Sequence, residues 1–457
     1  MNRKFVPRTS SDASLLSGAS AACNLADVNL PDEARRAVKA IEIALIFNIE
    51  RRAIAAFLAS DDFSSLTYEV GTLTGKLLME CLPRFVHKLG GNVALVTKFE
   101  RGGDVTTPTT EAIRTKDAVR RFVSSGVIFI HLPNERLAVY VDEPYPENGY
   151  TIRVYARNDS GSFYEKWEAH TASDNFLNGR AFFADGKLLE RERTYSWNDI
   201  VLAEDVKDTV RLHVETFLRN RERLKKFGLK RRRGLILAGP PGTGKTLLGK
   251  VLADNVDASF IWVSPRHIRQ AESFASILST ARLVAPTILF LEDIDLFAEE
   301  REVHASLGLG ELMNQLDGAL ENEDIVTIAT TNRLEIVEKA LRNRPGRFDR
   351  IVQVGVMNET CRRKMLTTIM VHAEFEPFDF EYLISASDGC TGAQVEELAN
   401  ILYLMSMENA GSGGDETVRL TAGQSKRRSP ISAASESSRS VLRRRKSKQW
   451  RCGFNAD

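Results

Sequence analysis

The spacing of hydrophobic residues changes along the chain, and each change predicts a different structure. Apolar residues recur every three or four positions over residues 34–59 and again from Tyr68 to Lys88, which predicts two helices. The next apolar runs are short and rich in β-branched and aromatic residues, which predicts strands. The predicted strands and hairpin turns are Asn92–Phe99, Gly126–Leu132, Arg136–Val141 and Tyr150–Arg157, with turns at Asn148–Gly149 and Asp185–Gly186. Residues 31–188 are therefore predicted to form an α+β domain.

From Arg193 onward, short apolar strands alternate with amphipathic helices. This alternation predicts a parallel sheet with helices on both faces, which we assign to residues 189–357. Three helical runs over residues 358–410 predict a small helical lid. The hydrophobic periodicity then ends, and residues 411–457, rich in Ser, Arg and Lys, are predicted to be a disordered tail. The predicted fold class is therefore α/β, with a parallel sheet and a helical lid, preceded by the α+β domain.

Composition indicates where in the cell the protein resides but says little about its partners. A chain of 457 residues suits two or three domains, and a formal charge of +1 creates no global field that would favour nucleic acid or an anionic membrane. The five cysteines are scattered without a C-x-x-C pair, which favours a reducing intracellular location, the cytoplasm. Residues 1–30 are expected to be a disordered leader, although their Ser, Ala and Arg content leaves an organelle transit peptide open.

The most specific motif is the run GPPGTGKT, which has every required position of the phosphate-binding pattern G-x-x-x-x-G-K-[ST]. It stands between an apolar run at residues 234–238 and a helical run, as that motif requires. The backbone N–H groups of such a loop surround nucleotide phosphates, Lys245 reaches the β- and γ-phosphates, and the Thr246 hydroxyl binds Mg²⁺. The predicted ATP-binding residues of this segment are Gly239, Pro240, Pro241, Gly242, Thr243, Gly244, Lys245, Thr246 and Leu247.

Two further apolar runs lead into polar side chains suited to phosphoryl chemistry. The predicted strand Thr287–Leu291 ends in Glu292 and Asp293. Carboxylates in that position can hold Mg²⁺ and polarise an attacking water molecule. The next predicted strand leads to Asn332, whose amide can hydrogen-bond both the γ-phosphate and that water molecule. The sequence therefore predicts hydrolysis of the nucleotide as well as its binding.

The segment RPGRFDR carries Arg347 and Arg350, which are suited to reach the γ-phosphate of a neighbouring subunit. Together with GPPGTGKT, ILFLEDID and TIATTN, it makes residues 193–405 resemble the ATPase module of the AAA family, within the AAA+ superfamily of P-loop NTPases. The resemblance implies ATP and Mg²⁺ as ligands and self-association into a ring, commonly a homohexamer, with sites between subunits. It also implies remodelling or translocation of a protein client that the domain at residues 31–188 selects.

The resemblance also implies roles for individual residues. Glu292 takes the metal-side acidic position beside Thr246, and Asp293 takes the position of the catalytic base. The other residues given a role are Asn332 as sensor 1, Arg347 and Arg350 as arginine fingers, Ile200 against the adenine, and Gly392 and Ala393 at the contact between lid and nucleotide.

The acidic pair is inverted relative to the family, which usually has Asp-Glu where this chain has Glu292-Asp293. A shorter base can hold the attacking water molecule poorly, so a slow ATPase or a nucleotide-gated scaffold is one hypothesis. The mitochondrial branch that translocates the folded Rieske iron–sulfur protein, and related bacterial AAA proteins, resemble this chain in carrying Glu-Asp. The intact Asn332 and arginines also favour Mg²⁺-dependent ATP hydrolysis, which is the predicted function.

Features outside the nucleotide site leave the client open. The segment from Phe260 to Gln270 lacks the aromatic pore triplet of many unfolding members, so threading by aromatic paddles is not predicted. Basic clusters at residues 426–428 and 443–446 make a nucleic-acid-associated ATPase the alternative. The H-E-x-x-H signature of zinc proteases does not occur in the sequence. Three histidines without a partner at ligand spacing are expected to be structural or surface residues: His87, His131 and His170.

Overall fold

The computed structural model describes a defined part of the chain. The described residues are 49–100, 104–114, 118–143, 149–190, 192–267, 271–296, 323–341, 348–371, 373–375, 377–410 and 418–420. They fall into two compact units. The first unit contains the described residues up to Arg180 with residues 184–188 and 271–285, and the second contains residues 181–183, 189–267 and the described residues from 286 onward.

The first unit is built on an antiparallel sheet. Its strands are β1 Ser64–Val70, β2 Asn92–Phe99, β3 Val105–Thr106, β4 Thr109–Arg114, β5 Val119–His131, β6 Arg136–Asp142 and β7 Tyr150–Ala156. They lie in the order β1-β7-β6-β5-β2-β3, with β4 paired to β5. In β7 the alternate residues Tyr150, Ile152 and Val154 are fully buried, as expected for a strand with one face against a core.

Helices cover this core. They are α1 over residues 49–58, α2 Thr72–Lys88 and α3 Ser160–Ser173. The side chain of Asp159 caps α3 by accepting from the backbone N–H groups of Gly161 and Ser162. Trp167 of α3 is fully buried, and its Nε1–H donates to the Leu78 carbonyl of α2 at 3.0 Å. This hydrogen bond and the surrounding apolar side chains hold α2 against α3.

The prediction that a helix begins at Tyr68 is wrong, because α2 begins at Thr72. Tyr68 lies in β1, where it pairs with Ile152 of β7. Local periodicity does not separate the end of this strand from the start of the helix, since apolar residues continue through both. Pairing with a strand far along the chain decided the conformation. The four strands predicted in this unit are confirmed, and β5 begins before the predicted Gly126.

The second unit is built on a parallel sheet, as predicted. Its strands are β8 Ala181–Phe183, β9 Arg232–Ala238, β10 Ser259–Val263, β11 Thr287–Leu291, β12 Ile325–Thr331 and β13 Arg350–Gln353. The order is β13-β9-β12-β11-β10-β8, and every neighbouring pair is parallel. All residues of β10 and β11 are buried, which explains why these strands are uniformly apolar instead of alternating.

Nine helices follow along the rest of the described chain. They are α4 Glu204–Arg211, α5 Phe217–Arg219, α6 Arg221–Lys226, α7 Lys245–Asn255, α8 Ala271–Leu283, α9 Leu334–Leu341, α10 Glu359–Ile369, α11 Pro377–Ala386 and α12 Gly392–Ala410. A π-helical turn, Leu212–Thr216, joins α4 to α5. The segment that contains α8 groups with the first unit, and the other eight helices belong to the second.

The structure places several short strands where the sequence predicts none, among them one at residues 181–183 and one at residues 418–420. Strand β8 comes from the end of the predicted α+β domain, yet it forms the edge of the parallel sheet beside β10. The turn predicted at Asp185–Gly186 forms, with Gly186 at a φ of 85°. In the predicted disordered tail, β15 Val418–Leu420 pairs with β14 Ala373–Phe375. Both strands contain large apolar residues, and three-residue runs carry too little periodicity to be found in a sequence.

The predicted helical lid is confirmed as α10, α11 and α12. These helices share a small core of their own that includes Leu366, Leu383, Val395 and Ala399. None of the helices in the described part of the chain combines the length and the apolar character needed to cross a bilayer.

Candidate active site

The three strands that carry the predicted site residues are neighbours in the parallel sheet. β9 leads into the phosphate loop, β12 into Asn332, and β11 into Glu292 and Asp293, and β12 lies between the other two. Parallel strands end at the same edge of a sheet, so the loop, the amide and the carboxylates meet there. The register agrees, since Thr331 at the end of β12 pairs with Ala238 at the end of β9.

Two glycines shape the phosphate loop. Gly242 and Gly244 have φ angles of 79° and 94°, in the left-handed region that other residues rarely adopt. Helix α7 starts directly afterwards at Lys245, so the loop leads into the N-terminus of an 11-residue helix. This arrangement of backbone N–H groups binds phosphate. Leu247, also predicted to contact nucleotide, packs against the hydrophobic core of the unit.

The Lys245 side chain is buried and folded back on its own loop. Its ammonium donates to the carbonyl oxygens of Gly239 and Pro240 at 2.7 and 2.8 Å. Burial lowers the pKa of this ammonium, while the carboxylates of Asp293 and Asp295 oppose the shift. The ammonium therefore lies inside the anion-binding loop, where phosphate oxygens are strong acceptors for it.

Thr246 and Glu292, the two predicted Mg²⁺ residues, are in direct contact. The Thr246 hydroxyl donates to Oε1 of Glu292 at 2.8 Å, and Oε2 accepts from Nε1 of Trp262 at 3.1 Å. A hydroxyl and a carboxylate are hard oxygen donors of the type that Mg²⁺ prefers. These two side chains therefore fit a Mg²⁺ ion and would hold it.

Adjacent Glu292 and Asp293 are held by different strands. The Glu292 N–H donates to the carbonyl oxygen of Val263, the last residue of β10, at 2.8 Å, whereas the Asp293 N–H donates to the Thr330 hydroxyl of β12 at 2.9 Å. Asp293 has a φ of 50°, so the backbone turns into the left-handed region between these two anchors. The amide of Asn332 then donates to Oδ1 of Asp293 at 3.3 Å. The predicted base and the predicted sensor are therefore within hydrogen-bond reach.

The Asp293 carboxyl has a raised pKa. Burial is the main cause, the charges of Glu292 and Asp295 add to it, and Lys245 and the amide of Asn332 oppose it. A carboxylate with a raised pKa binds a proton more readily than a free aspartate does. The environment of Asp293 therefore suits a general base.

A third carboxylate, Asp295, holds the end of β12. It is almost completely buried and accepts from the Thr331 hydroxyl at 2.9 Å, the Asn332 N–H at 3.2 Å and Nε of Arg333 at 3.2 Å. Three donors compensate the buried negative charge. Because one of them is the backbone of Asn332, Asp295 positions the sensor beside Asp293.

Three residues with predicted nucleotide contacts surround the loop. Ile200 is buried, and its Cδ1 lies 3.8 Å from the position that a Cβ on Gly244 would occupy. The Ala393 N–H donates to the carbonyl oxygen of Gly242 at 3.0 Å, and a Cβ on Gly392 would lie 3.4 Å from that oxygen. The lid therefore touches the phosphate loop directly at the start of α12.

Arg350, one of the two predicted arginine fingers, is not brought to this edge. Arg350 is exposed at the start of β13, where it pairs with Leu235 of β9. Leu235 lies three residues before Ala238, the last residue of β9. Three residues of strand correspond to about 10 Å, so Arg350 lies well back from the phosphate loop of its own chain. Arg347 lies outside the described residues.

Four residues of the site were assigned no individual role from the sequence, although Asp295 and Thr330 stand in the motifs ILFLEDID and TIATTN. Trp262, Thr330 and Asp295 hydrogen-bond Glu292, Asp293 and Asn332 respectively, and Leu202 Cδ2 lies 3.7 Å from the position that a Cβ on Gly244 would occupy. Trp262, Thr330 and Asp295 lie near the carboxyl ends of β10, β12 and β11 respectively, and these three strands are neighbours in the sheet. Polar atoms at the carboxyl ends of all the predicted parallel strands were therefore the signal that would have found them.

Residues 235–356 match the family model described as "ATPase family associated with various cellular activities (AAA)". The matched segment contains the phosphate loop, both carboxylates and the sensor amide that the sheet brings to one edge. This segment, the AAA domain, is similar to the ATPase domains of that family. The family resemblance predicted from four short motifs is confirmed for the AAA domain.

Curated relatives of the AAA domain align with up to about half of the chain. The ATP-dependent zinc metalloprotease FtsH 2 of Salinibacter ruber is 31% identical over 245 residues, which are 50% of this chain and 35% of the relative. The protein SAV of Sulfolobus acidocaldarius is 34% identical over 239 residues, 49% and 30% of the two chains. The cell division cycle protein 48 homolog of Archaeoglobus fulgidus is 35% identical over 204 residues, 41% and 27%. The chain spans about a third of the length of the first relatives that it matches.

Proposed function

We propose that the protein is a Mg²⁺-dependent ATPase that works as a ring and uses hydrolysis to remodel or translocate a protein client. The observation that carries the hydrolysis proposal is a pair of contacts, Thr246 with Glu292 and Asn332 with Asp293. The first contact joins two metal-binding oxygens, and the second joins a base to the amide that orients its water molecule. A protein that binds nucleotide without hydrolysing it would need only the contact between Thr246 and Glu292.

Each side chain has its own task in hydrolysis. Lys245 and the N–H groups of the loop bind the phosphates, and Thr246 and Glu292 would hold a Mg²⁺ ion, which would supply charge neutralisation there. Asn332 orients the attacking water molecule, and Asp293 takes its proton. The inverted Glu-Asp order is compatible with these tasks, because separate strands hold the two carboxylates.

The position of Arg350 supports a site shared between subunits. Its side chain is exposed, and about 10 Å of strand separates it from the edge that carries its own phosphate loop. A neighbouring copy in a ring, which we propose to be a homohexamer, would receive this arginine at its γ-phosphate. There the guanidinium would stabilise the charge of the transition state.

Mixing two impaired variants tests the shared site. Arg350→Ala removes the arginine and keeps the base, whereas Asp293→Asn does the reverse. We expect each variant to hydrolyse ATP at least about tenfold more slowly than the wild type. Co-assembled rings should regain turnover, because the Asp293→Asn subunit supplies Arg350 to the intact base of its neighbour. Phosphate release at constant total protein concentration measures the effect.

Two controls accompany this mixing experiment. Arg223→Ala changes an exposed arginine of α6 and should retain wild-type turnover. Two different affinity tags on the two variants verify that mixed assemblies form. If mixed assemblies form and turnover stays at the level of the separate variants, a site completed by Arg350 of a neighbour is contradicted.

The protein client is inferred from the relatives. One of them is named as a metalloprotease, an enzyme that acts on proteins, and we propose that this chain likewise acts on a protein. The Glu292-Asp293 order supports a place in the branch of the mitochondrial Rieske-protein translocase and its bacterial relatives. On this proposal the first unit, with its antiparallel sheet, selects the client.

A trapping experiment distinguishes the classes of client. Asp293→Asn should hold ATP without turnover and so retain its client. We expect a protein to co-purify with this variant in ATP but not in ADP, and to stay bound after nuclease treatment, as mass spectrometry would show. Nucleic acid that co-purifies and is lost on deletion of residues 411–457 would support the nucleic-acid-associated ATPase instead.

A further inference from the structure

A cysteine, a histidine and an aspartate converge in the first unit. Cys81 lies in α2, His170 lies in the last turn of α3, and Asp174 is the C-cap residue of α3. One ligand atom of each lies within 4.8 Å of the other two. The prediction that His170 has no partner at ligand spacing is therefore wrong. Its partner Cys81 is brought near only when α2 packs against α3, which sequence spacing does not show.

The ring of His170 supplies a second, independent observation. Its Nε2 is buried and has no hydrogen-bond partner among the described residues. The side chain is 9% exposed, and the Oδ2 of Asp174 lies 3.7 Å from Nε2, which is too far for a hydrogen bond. A buried nitrogen without a hydrogen-bond partner is costly unless something binds it.

We propose that Cys81 Sγ, His170 Nε2 and the Asp174 carboxylate bind one Zn²⁺ ion. Thiolate, imidazole and carboxylate are all zinc ligands, and the thiolate argues against Mg²⁺ and Ca²⁺, which prefer oxygen. Three protein ligands leave one position of a tetrahedron for water. The Asp174 side chain is 58% exposed, so solvent reaches this side of the site.

The distances suit a tetrahedral ion after a small contraction. Zinc bond lengths place the ligand atoms of a tetrahedron roughly 3.3–3.8 Å apart. The separation of 3.7 Å between His170 Nε2 and Asp174 Oδ2 is already in that range. The other separations do not exceed 4.8 Å and would need to close by about 1 Å. Asp174 lies at the end of a helix and is largely exposed, so its side chain can close its separation from Cys81, whereas the separation between Cys81 and His170 would close through those two side chains.

The charges around the site are compatible with a divalent cation. Arg84 donates from Nε to Asp174 Oδ2 at 3.4 Å, and Lys88 Nζ lies 3.5 Å from His170 Nδ1. Glu80 offsets Arg84 through two hydrogen bonds of 2.6 and 3.1 Å. The thiolate and carboxylate balance the ion's two positive charges. Coordination through Nε2 leaves the proton on Nδ1, so the exposed Lys88 ammonium turns toward solvent.

Binding replaces the proton of Cys81. Its Sγ donates to the carbonyl oxygen of Asp174 at 3.5 Å. The Zn²⁺ ion takes the place of the proton, which is released to solvent, and no group changes oxidation state. The ion would then join α2 to the C-terminal end of α3. A ligand that binds only the folded state stabilises it, so zinc should raise the melting temperature.

Cobalt and zinc titrations of the nucleotide-free full chain test the proposal. Co²⁺ is the probe because a thiolate ligand gives it a charge-transfer absorption band. We expect one Co²⁺ per chain with this band, its displacement by Zn²⁺, and a higher melting temperature with Zn²⁺. Cys81→Ser should abolish the band, and His170→Ala and Asp174→Asn should each weaken binding at least about tenfold.

Two control variants distinguish a specific metal site from adventitious metal binding. Cys390→Ser changes another free cysteine, and Asp185→Asn changes an exposed carboxylate of the same unit, so both should bind Co²⁺ as the wild type does. If a buried variant fails to fold, Asp174→Asn remains informative, because that side chain is exposed. A missing thiolate band in the wild type, or a band of equal strength in Cys81→Ser, would overturn the proposal.

Discussion

Asp293→Asn is expected to lower the rate of ATP hydrolysis by about 10²- to 10⁴-fold, the usual contribution of a general base. The amide keeps an acceptor for the hydrogen bond from Asn332, which is 3.3 Å in the wild type, but it cannot take a proton from water. ATP affinity should change little, because in the proposed site Lys245 and Thr246 bind the phosphates. The wild-type rate should rise with pH as Asp293 ionises, through a pKa above that of an ordinary aspartate.

The same substitution should stabilise the fold while it abolishes turnover. Burial and the charges of Glu292 and Asp295 raise the pKa of Asp293, so its ionised form costs stability in the folded state. Asn carries no charge and tolerates the left-handed φ of 50° at this position. The gain in free energy of unfolding should be present at neutral pH. It should shrink as pH falls through the raised pKa, and vanish below the ordinary pKa of aspartate.

Paired measurements decide this prediction. Phosphate release, fluorescent-nucleotide binding and thermal unfolding are compared for wild type and Asp293→Asn over a range of pH. Asp257→Asn offers a matched change at an exposed carboxylate between α7 and β10 and should leave turnover near wild type. Slow turnover together with lost ATP binding would show that Asp293 supports the loop and is not the base. Unchanged turnover would support the slow or inactive scaffold.

Gly239→Ala is expected to lower turnover by about 100-fold, because it displaces the phosphate loop. A Cβ on Gly239 would overlap the carbonyl oxygen of Val354, which is backbone and cannot rotate away. Val354 is fixed in turn, because its N–H donates to the carbonyl oxygen of Ala238 at 2.7 Å. The loop must therefore shift away from β13. This shift moves the carbonyl that holds Lys245, so ATP affinity should fall as well, with a stability cost of about 1–3 kcal/mol.

Gly355→Ala is the matched control for this change. A Cβ on Gly355 would meet no atom within 4 Å, although Gly355 directly follows Val354. Calorimetric ATP binding and phosphate release should therefore be normal in Gly355→Ala and impaired in Gly239→Ala. Equal ATP affinity in the two variants would contradict the tight approach of the loop to Val354.

The nucleotide site was predictable because its parts are local. The strand before the phosphate loop, the glycines with φ of 79° and 94° and the helix after them form one continuous segment. Each of the other site strands also ends directly at its functional residue. Parallel strands share one edge, so Lys245, Asp293 and Asn332 could be brought together from sequence order.

The partners of these residues were not predictable in the same way. The hydrogen bonds of Trp262 with Glu292 and of Thr330 with Asp293 depend on which strands are neighbours in the sheet. The order of the strands in the sheet differs from their order in the chain. The start of α2 was placed too early for the same reason, since β1 is defined by its pairing with distant β7. Long-range pairing has no local signal.

The sequence by itself therefore determined the phosphate loop, the acidic pair, the sensor amide and the parallel sheet, because each depends on short runs of residues. The tertiary structure decided how the inverted Glu292-Asp293 pair is held, since different strands anchor the backbone of the two residues and a left-handed backbone turns between them. It also decided that Cys81 and His170 lie together, because side chains on different helices meet only when the helices pack.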